Sequence, residues 1–359
     1  MAEAETFRNI VVVRLSAFGD VVLALPALAA LRAAFPEARI SWIVEDRCAA
    51  LLRGHPHLDE VIEIPRATWA RGSALRRGLR ATAALLRLAV AVKKRRFDLA
   101  VDLQGNLKSG FATRFTFAPV RLGFGRRDTG EPNWLFTNRR LDLGGAPFHR
   151  ADRDLLLLGR VGVPFVRRRA VVPVAPADAA PAETFLAALP GAGPLVALHA
   201  GTSAFMPHKR WPAERYGALA RRLRDAAGAR SIATWGKEDR DLAERVVATS
   251  DGAAVLAPDL PSTRALAGLL RRVDLVVGGD TGPTHLADVL GVPVVMVFGP
   301  TDPRLYHPYG RPDRALYRKV PCSPCRFREC PDRVCLDGVE GDRVFEVCRE
   351  ALAVAEPIR

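Results

Sequence analysis

"NIVVVRLSAFGDVVLALPAL", Asn9 to Leu28, decides how the chain is read. Its first part, Ile10 to Arg14, is a branched apolar run of the length and texture of a strand buried on both faces. Gly19 marks a turn, and beyond it Ala24, Leu28, Leu31 and Phe35 recur at the i, i+4, i+7, i+11 spacing of one helix face. Pro26 stands close enough to the helix start to be tolerated, or it kinks the helix. Strand, glycine turn and helix make the opening unit of a parallel α/β sheet. Asp20, the only acid between Glu5 and Glu37, occupies the carboxyl end of that strand, where such sheets bind ligands.

Outward from this stretch the pattern repeats, with strands predicted at Ile40 to Val44, Val61 to Ile64, Leu99 to Leu103 and Val120 to Phe124. The texture changes at "RRRAVVPVAPADAAPAETF", Arg167 to Phe185, where prolines and alanines without apolar period suggest a linker. Strand signals resume at Leu195 to His199, Ser231 to Trp235, Ala254 to Ala257, Leu275 to Gly278 and Val294 to Phe298. The reading is two doubly wound α/β domains. The first covers residues 1–166, a linker 167–190, a second domain 191–345 and a C-terminal helix or tail 346–359. Ligands are expected in a cleft between the carboxyl ends of the two sets of strands.

Bulk properties agree. The chain of 359 residues, 49% hydrophobic, is long enough for two cores at about 100 to 200 residues per domain. No secretory leader pattern and no apolar run of about 18 residues occurs, which points to the cytoplasm. The net charge of +14 favours polyanionic partners. Part of the excess is local, with ten Lys or Arg and no acid from Arg66 to Arg96; that run reads as a solvated helix face or as a surface held against an anionic membrane. Cys322, Cys325, Cys330 and Cys335 cluster, but only the first pair has Cys-x-x-Cys spacing, so a thiol-bearing loop and a bound metal both remain open.

The chemistry concentrates in glycine turns. None of them matches G-x-G-x-x-G or G-x-x-x-x-G-K-[ST], which removes the main support for dinucleotide redox chemistry and P-loop hydrolysis. In "VVGGDTGPTHLADVLGVP", Val276 to Pro293, a strand and glycine turn open a helix capped by Asp280 or Thr281. Amides of Thr281, Gly282 and Thr284 at its positive end make an anion site, with His285 in the helix that follows. In "AGTSAFMPHKRWP", Gly201, Thr202 and Ser203 let the backbone approach a ligand, and Lys209 offers a charge suited to phosphate. Glu238 could accept hydrogen bonds from a ribose, or serve only as a first-turn helix acid. In "VDLQGNLKSG", Gln104, Asn106 and Lys108 are available to a polar substrate. Asp20 itself is either a ligand-facing acid or a helix N-cap, a role that asparagine fills equally well.

Together "LSAFGDVVLALPAL", "DLQGNLKSG", "GEPNWLFTNR", "HAGTS", "HKRWP" and "GGDTGPTHLADVLGVPVVMVFGPTDP" resemble the ADP-heptose:lipopolysaccharide heptosyltransferases, glycosyltransferase family nine, over about Ile10 to Tyr309. They resemble the heptosyltransferase I type in particular, although the cysteine-rich segment is closer to other branches. The resemblance implies a GT-B architecture and ADP-L-glycero-β-D-manno-heptose as donor. It implies a Kdo sugar of the lipid A inner core as acceptor, and inverting transfer without metal or cofactor. It makes Asp20 the catalytic carboxylate, Lys209 the phosphate-binding lysine and Asp280, Thr281 and Gly282 the donor-binding turn. Glu238 matches the ribose-binding acid approximately, because the turn after Gly236 differs in length. Acceptor contacts then fall to the first domain, with Gly19, Gln104, Arg66, Lys108 and His149 as candidates, and a lipid-borne acceptor implies contact with the cytoplasmic face of an anionic inner membrane. Other acceptors within the family, a later core heptose or a protein, fit the same donor half. A basic nucleic-acid-binding protein is disfavoured, because the Arg66 to Arg96 run contains a single aromatic, Trp69, for base stacking.

Overall fold

The computed structural model describes residues 6–65, 82–83, 89–203, 206–325 and 330–354. The chain divides into two compact units, Met1–Pro173 and Val174–Arg359. The first contains β1 (Asn9–Val13), β2 (Arg39–Glu45), β3 (Glu60–Ile64), β4 (Leu99–Asp102), β5 (Val120–Phe124) and β6 (Arg139–Leu141). They lie in the order β3-β2-β1-β4-β5-β6, and every pairing is parallel. Helices α1 (Phe18–Leu23), α2 (Leu25–Ala34), α3 (Asp46–Leu52), α4 (Leu107–Phe115) and α5 (Arg150–Leu158) belong to this unit. Ile10 to Val13 and Leu99 to Val101 are completely buried, which is why these strands read as unbroken branched runs.

The predicted helix after β1 is two helices. Ala24 ends α1 and caps α2, and Pro26 falls at the start of α2, where its missing N–H removes no helix bond. Leu25 to Leu31 are all buried, because α2 packs against α5; the apolar period seen in the sequence marks one face of a helix that is covered nearly all round.

The second unit contains β7 (Leu195–His199), β8 (Arg230–Ala233), β9 (Ala254–Leu256), β10 (Leu275–Gly279), β11 (Val294–Phe298) and β12 (Ala315–Tyr317). The order β12-β11-β10-β7-β8-β9 is again parallel throughout. Counted from its own first strand, it repeats the topology of the first unit. Its helices are α6 (Pro176–Ala187), α7 (Ala213–Ala227), α8 (Arg240–Ala248), α9 (Thr263–Leu270), α10 (Gly282–Val289), α11 (Pro303–Tyr306), α12 (Val334–Asp337) and α13 (Gly341–Ala353). Trp211 and Tyr216 meet edge to face at 4.9 Å in a core that also takes Val344, Phe345, Val347 and Cys348 of α13.

Two features differ from the sequence reading. The segment read as a linker contains α6, an alanine-rich helix with Pro176 at its first position and Pro181 inside; it packs on α9 so closely that a Cβ at Gly268 would sit 3.0 Å from the Ala179 Cα. The division between units falls after Pro173, inside the segment 167–190 where the boundary was expected. The C-terminal helix begins at Gly341, not at 346, and through Val347, Cys348 and Ala351 it is part of the second core.

In each sheet the strand order reverses beside the first strand, between β1 and β4 and between β7 and β10. Loops leaving the carboxyl ends of such neighbours diverge and open a crevice. The four glycine-turn motifs are those loops.

Candidate functional site

At the first reversal, Arg14 continues β1 into the Asp20 loop. Its backbone is fixed on both sides, the N–H donating to the Ile43 carbonyl at 3.3 Å and the carbonyl accepting from Trp42 Nε1 at 3.1 Å. The guanidinium is 7% exposed; Nη1 donates to the Leu103 carbonyl and Nη2 pairs with Asp20 Oδ1 at 2.9 Å. Asp20 is the third residue of α1 and not its cap; that place belongs to Ala17, whose N–H donates to Asp20 Oδ2 at 3.3 Å. Gly19 is the second residue of the same helix.

The neighbouring turn, after β4, is organised by Asp102. Its Oδ1 accepts from the amides of Gln104 and Gly105 at 2.9 and 3.0 Å, and its Oδ2 accepts from Thr113 Oγ1 at 3.2 Å and Asn133 Nδ2 at 2.8 Å. Burial pushes this carboxyl up, and the hydrogen bonds oppose the shift. Gly105 takes φ +79°, the left-handed conformation that glycine tolerates. Gln104 Oε1 then accepts from the amides of Leu15 and Ser16 at 2.7 and 3.4 Å. The side chain expected to grip a substrate is thereby committed, through its oxygen, to holding the loop that carries Asp20.

The other acceptor candidates divide. Lys108 is exposed in the first turn of α4, whose Leu107 amide donates to Glu131 Oε2 at 2.7 Å. His149 is buried and caps α5, its Nδ1 accepting from the Ala151 amide at 3.2 Å; the expectation of a surface grip is corrected to a helix cap. Arg66 lies outside the described residues. On α5, Asp154 is buried and pushed up to about 7 by that burial, against the pull of Arg14, Arg153 and Arg150.

At the second reversal, Asp280 follows β10. Thr281 is the N-cap of α10, which leaves the Asp280 carboxylate free for other partners: Oδ2 binds Lys209 Nζ at 2.8 Å and Oδ1 binds His285 Nε2 at 3.0 Å. Burial alone would raise the Asp280 carboxyl, but the hydrogen bond from His285 and the charge of Lys209 outweigh it and hold the group far below the usual range. His285 is buried and therefore supports Asp280 from behind. The first-turn amides of Gly282 and Thr284 precede any intrahelical acceptor.

The loop after β7 completes this arrangement. Thr202 is buried, its hydroxyl donating to the Met206 carbonyl at 3.1 Å and accepting from Arg210 Nε at 3.2 Å, whereas Ser203 is exposed. Gly201 leaves no room for a side chain as Asp239 stands, because a Cβ there would come 1.7 Å from Asp239 Oδ2. Asp239 is also the N-cap of α8 and accepts from the Gly236 amide at 2.5 Å. Glu238, beside it, is exposed in the turn before the helix and not in its first turn. Among the described residues, no group of three or more His, Cys, Asp or Glu is arranged to hold a metal, and Cys322, Cys325, Cys330 and Cys335 are free thiols.

Arg14, Asp102, Asn133 and Asp239 shape these turns without having stood out in the sequence. Arg14 left one signal, a charge ending an otherwise apolar strand. The chemistry available is an acid paired to arginine on one unit, and a lysine with helix amides suited to an anion on the other.

Residues 85–335 match the family Glycosyltransferase family 9 (heptosyltransferase). The chain is 31% identical to lipopolysaccharide heptosyltransferase 1 of Pseudomonas aeruginosa, over 95% of this chain and 92% of that one. It superposes on the structure of Escherichia coli heptosyltransferase WaaC with ADP at a TM-score of 0.71 and 27% identity, covering 96% of this chain and 99% of that one. A family 9 glycosyltransferase structure from Veillonella parvula shares the fold at a TM-score of 0.80 and 22% identity, covering 98% and 99%.

Proposed function

The chain belongs to glycosyltransferase family 9, and from that premise we propose that it transfers heptose from ADP-L-glycero-D-manno-heptose to a Kdo sugar of the lipopolysaccharide inner core, with inversion. The observation that carries the reading is the placement of Asp20 and of the Lys209–Asp280 pair at the strand-order reversals of their two sheets.

Asp20 removes the proton of the acceptor hydroxyl as that oxygen attacks the anomeric carbon from the face opposite ADP. The charge that develops on the departing diphosphate is met by Lys209 and by the amides of Gly282 and Thr284, all in place before reaction. Lys209 gives one N–H to Asp280 and keeps two for phosphate oxygens. Asp280, held ionised by His285 and Lys209, fixes where that ammonium stands. Ser203 and Glu238, exposed on neighbouring loops, are the remaining donor-side groups, Glu238 for the ribose. Lys108 is the acceptor-side cation of the first unit.

A lipid-borne acceptor also brings the first unit to the cytoplasmic face of an anionic membrane. Exposed Phe111, Phe117 and Leu135 support this contact, together with exposed Lys108 and Arg114 on α4; aromatic and basic groups side by side suit a bilayer surface. Among the described residues no helix is long and apolar enough to cross a membrane. Incubation with ADP-heptose and a Kdo-bearing lipid A precursor, followed by mass spectrometry, tests the proposal: one heptose increment on the acceptor is expected, and no increment contradicts it.

A further inference from the structure

We propose that Arg14 is the positioning residue of the transfer reaction, pinning Asp20 Oδ1 so that Oδ2 is the atom that takes the acceptor's proton. The inference rests on the reading of Asp20 as the base and deepens it, assigning each carboxylate oxygen and adding a residue that never touches substrate.

Arg14 cannot be a mobile surface charge. Its backbone is tied to Ile43 and Trp42, its Nη1 to the Leu103 carbonyl, and its buried Nε has no partner. A guanidinium 7% exposed is costly to hold in the fold, and among the described residues Asp20 is the one carboxylate within 4 Å of it. A carbonyl such as that of Leu103 can be satisfied by any neutral donor, so what requires the full charge is Asp20. The two oxygens of Asp20 are unequal. Oδ1 receives the 2.9 Å charge-assisted bond, whereas Oδ2 receives a single amide at 3.3 Å, and the side chain keeps 28% of its exposure.

In the step, the acceptor O–H proton moves to Oδ2 while the oxygen's electron pair forms the bond to the anomeric carbon. The bond from that carbon to the diphosphate oxygen breaks, and its pair departs with ADP. Asp20, then neutral, returns its proton to water. Arg14 holds the carboxylate in one orientation until the hydroxyl arrives.

The titratable groups facing this pair from α5 are Asp154, Arg153 and Arg150, and burial pushes the Asp154 carboxyl up to about 7.

The test compares Arg14→Gln, Arg14→Lys and Asp20→Asn in kcat and KM with ADP-heptose and a Kdo-bearing lipid A precursor, and in ADP affinity by calorimetry. Arg14→Gln is expected to lower kcat about 100-fold and to leave ADP affinity and acceptor KM within about threefold. Arg14→Lys is expected to recover about tenfold of that loss, and it carries the test alone should the glutamine variant fail to fold. A kcat that falls only in step with the folded fraction, or that lysine does not recover, would make Arg14 merely structural and overturn the proposal. Full turnover by Asp20→Asn would instead remove the base reading itself, and the positioning role with it.

Discussion

Asp20 serves three partners at once: the Ala17 amide, the Arg14 guanidinium and, in the proposed reaction, a hydroxyl proton. Asparagine can still accept from an amide, but it cannot balance a buried guanidinium. Asp20→Asn is therefore expected to cost about 1 to 3 kcal/mol of stability, more than a simple cap exchange would, measurable by urea denaturation; a loss within a few tenths of a kcal/mol would mean that the ion pair contributes nothing. Lys209 is the second such residue. Lys209→Ala is predicted to weaken ADP binding about tenfold or more by calorimetry, and unchanged affinity would remove it from the diphosphate site. Asp154 gives a pH dependence of opposite sign to Asp280. Its folded pKa is raised to about 7, so its neutral form stabilises the fold fully below about pH 4, and that contribution is lost as pH rises through 7. Asp280, held low, contributes stability above about pH 4 that is lost as pH falls further. Asp154→Asn should accordingly raise the melting temperature more at pH 8 than at pH 5; an equal shift at both would contradict the assignment.

Among elements, legibility in the sequence follows burial. The central strands read clearly because helices cover both faces of Ile10 to Val13 and of Val196 to Leu198. Edge strands β6 and β12 did not, being three residues each, with two arginines in one and an exposed tyrosine in the other. Helix α6 was hidden because its alanines and prolines carry no period, yet alanine propensity and packing on α9 suffice to form it. Polar residues were the hardest to read: Gln104 and His149 look like ligand groups in a string, but Gln104 Oε1 and His149 Nδ1 each accept from a backbone amide of the chain itself. Gly201 makes the converse point, since its role becomes visible only once Asp239 is seen above it. Gly201→Ala is expected to cost about 1 to 3 kcal/mol by forcing Asp239 aside, whereas Gly54→Ala, with nothing within 4 Å of its Cβ position, bears only the strain of its φ of +69°. Thermal melts that rank the two the other way would contradict this reading.

At the scale of the whole molecule, one topology occurs twice, and each copy contributes half of the proposed chemistry: a base from the first unit, an anion-binding turn from the second. The family and the parallel α/β architecture were legible in the glycine-turn motifs, because those turns are where both sheets reverse. The basic run from Arg66 to Arg96 lies for the most part outside the described residues, so the membrane contact is argued from Phe111, Phe117 and Leu135. Vesicle flotation checks it: salt-sensitive binding to anionic but not neutral lipid is expected, weakened in Leu135→Glu, and equal flotation with both lipids would contradict it. The central claim is that Asp20 deprotonates the acceptor, and single-turnover transfer from ADP-heptose to the Kdo-bearing acceptor by the Asp20→Asn variant tests it most directly. With ADP affinity retained, the rate should fall by about 10²- to 10⁴-fold; transfer at the wild-type rate would show that the proton leaves by another route.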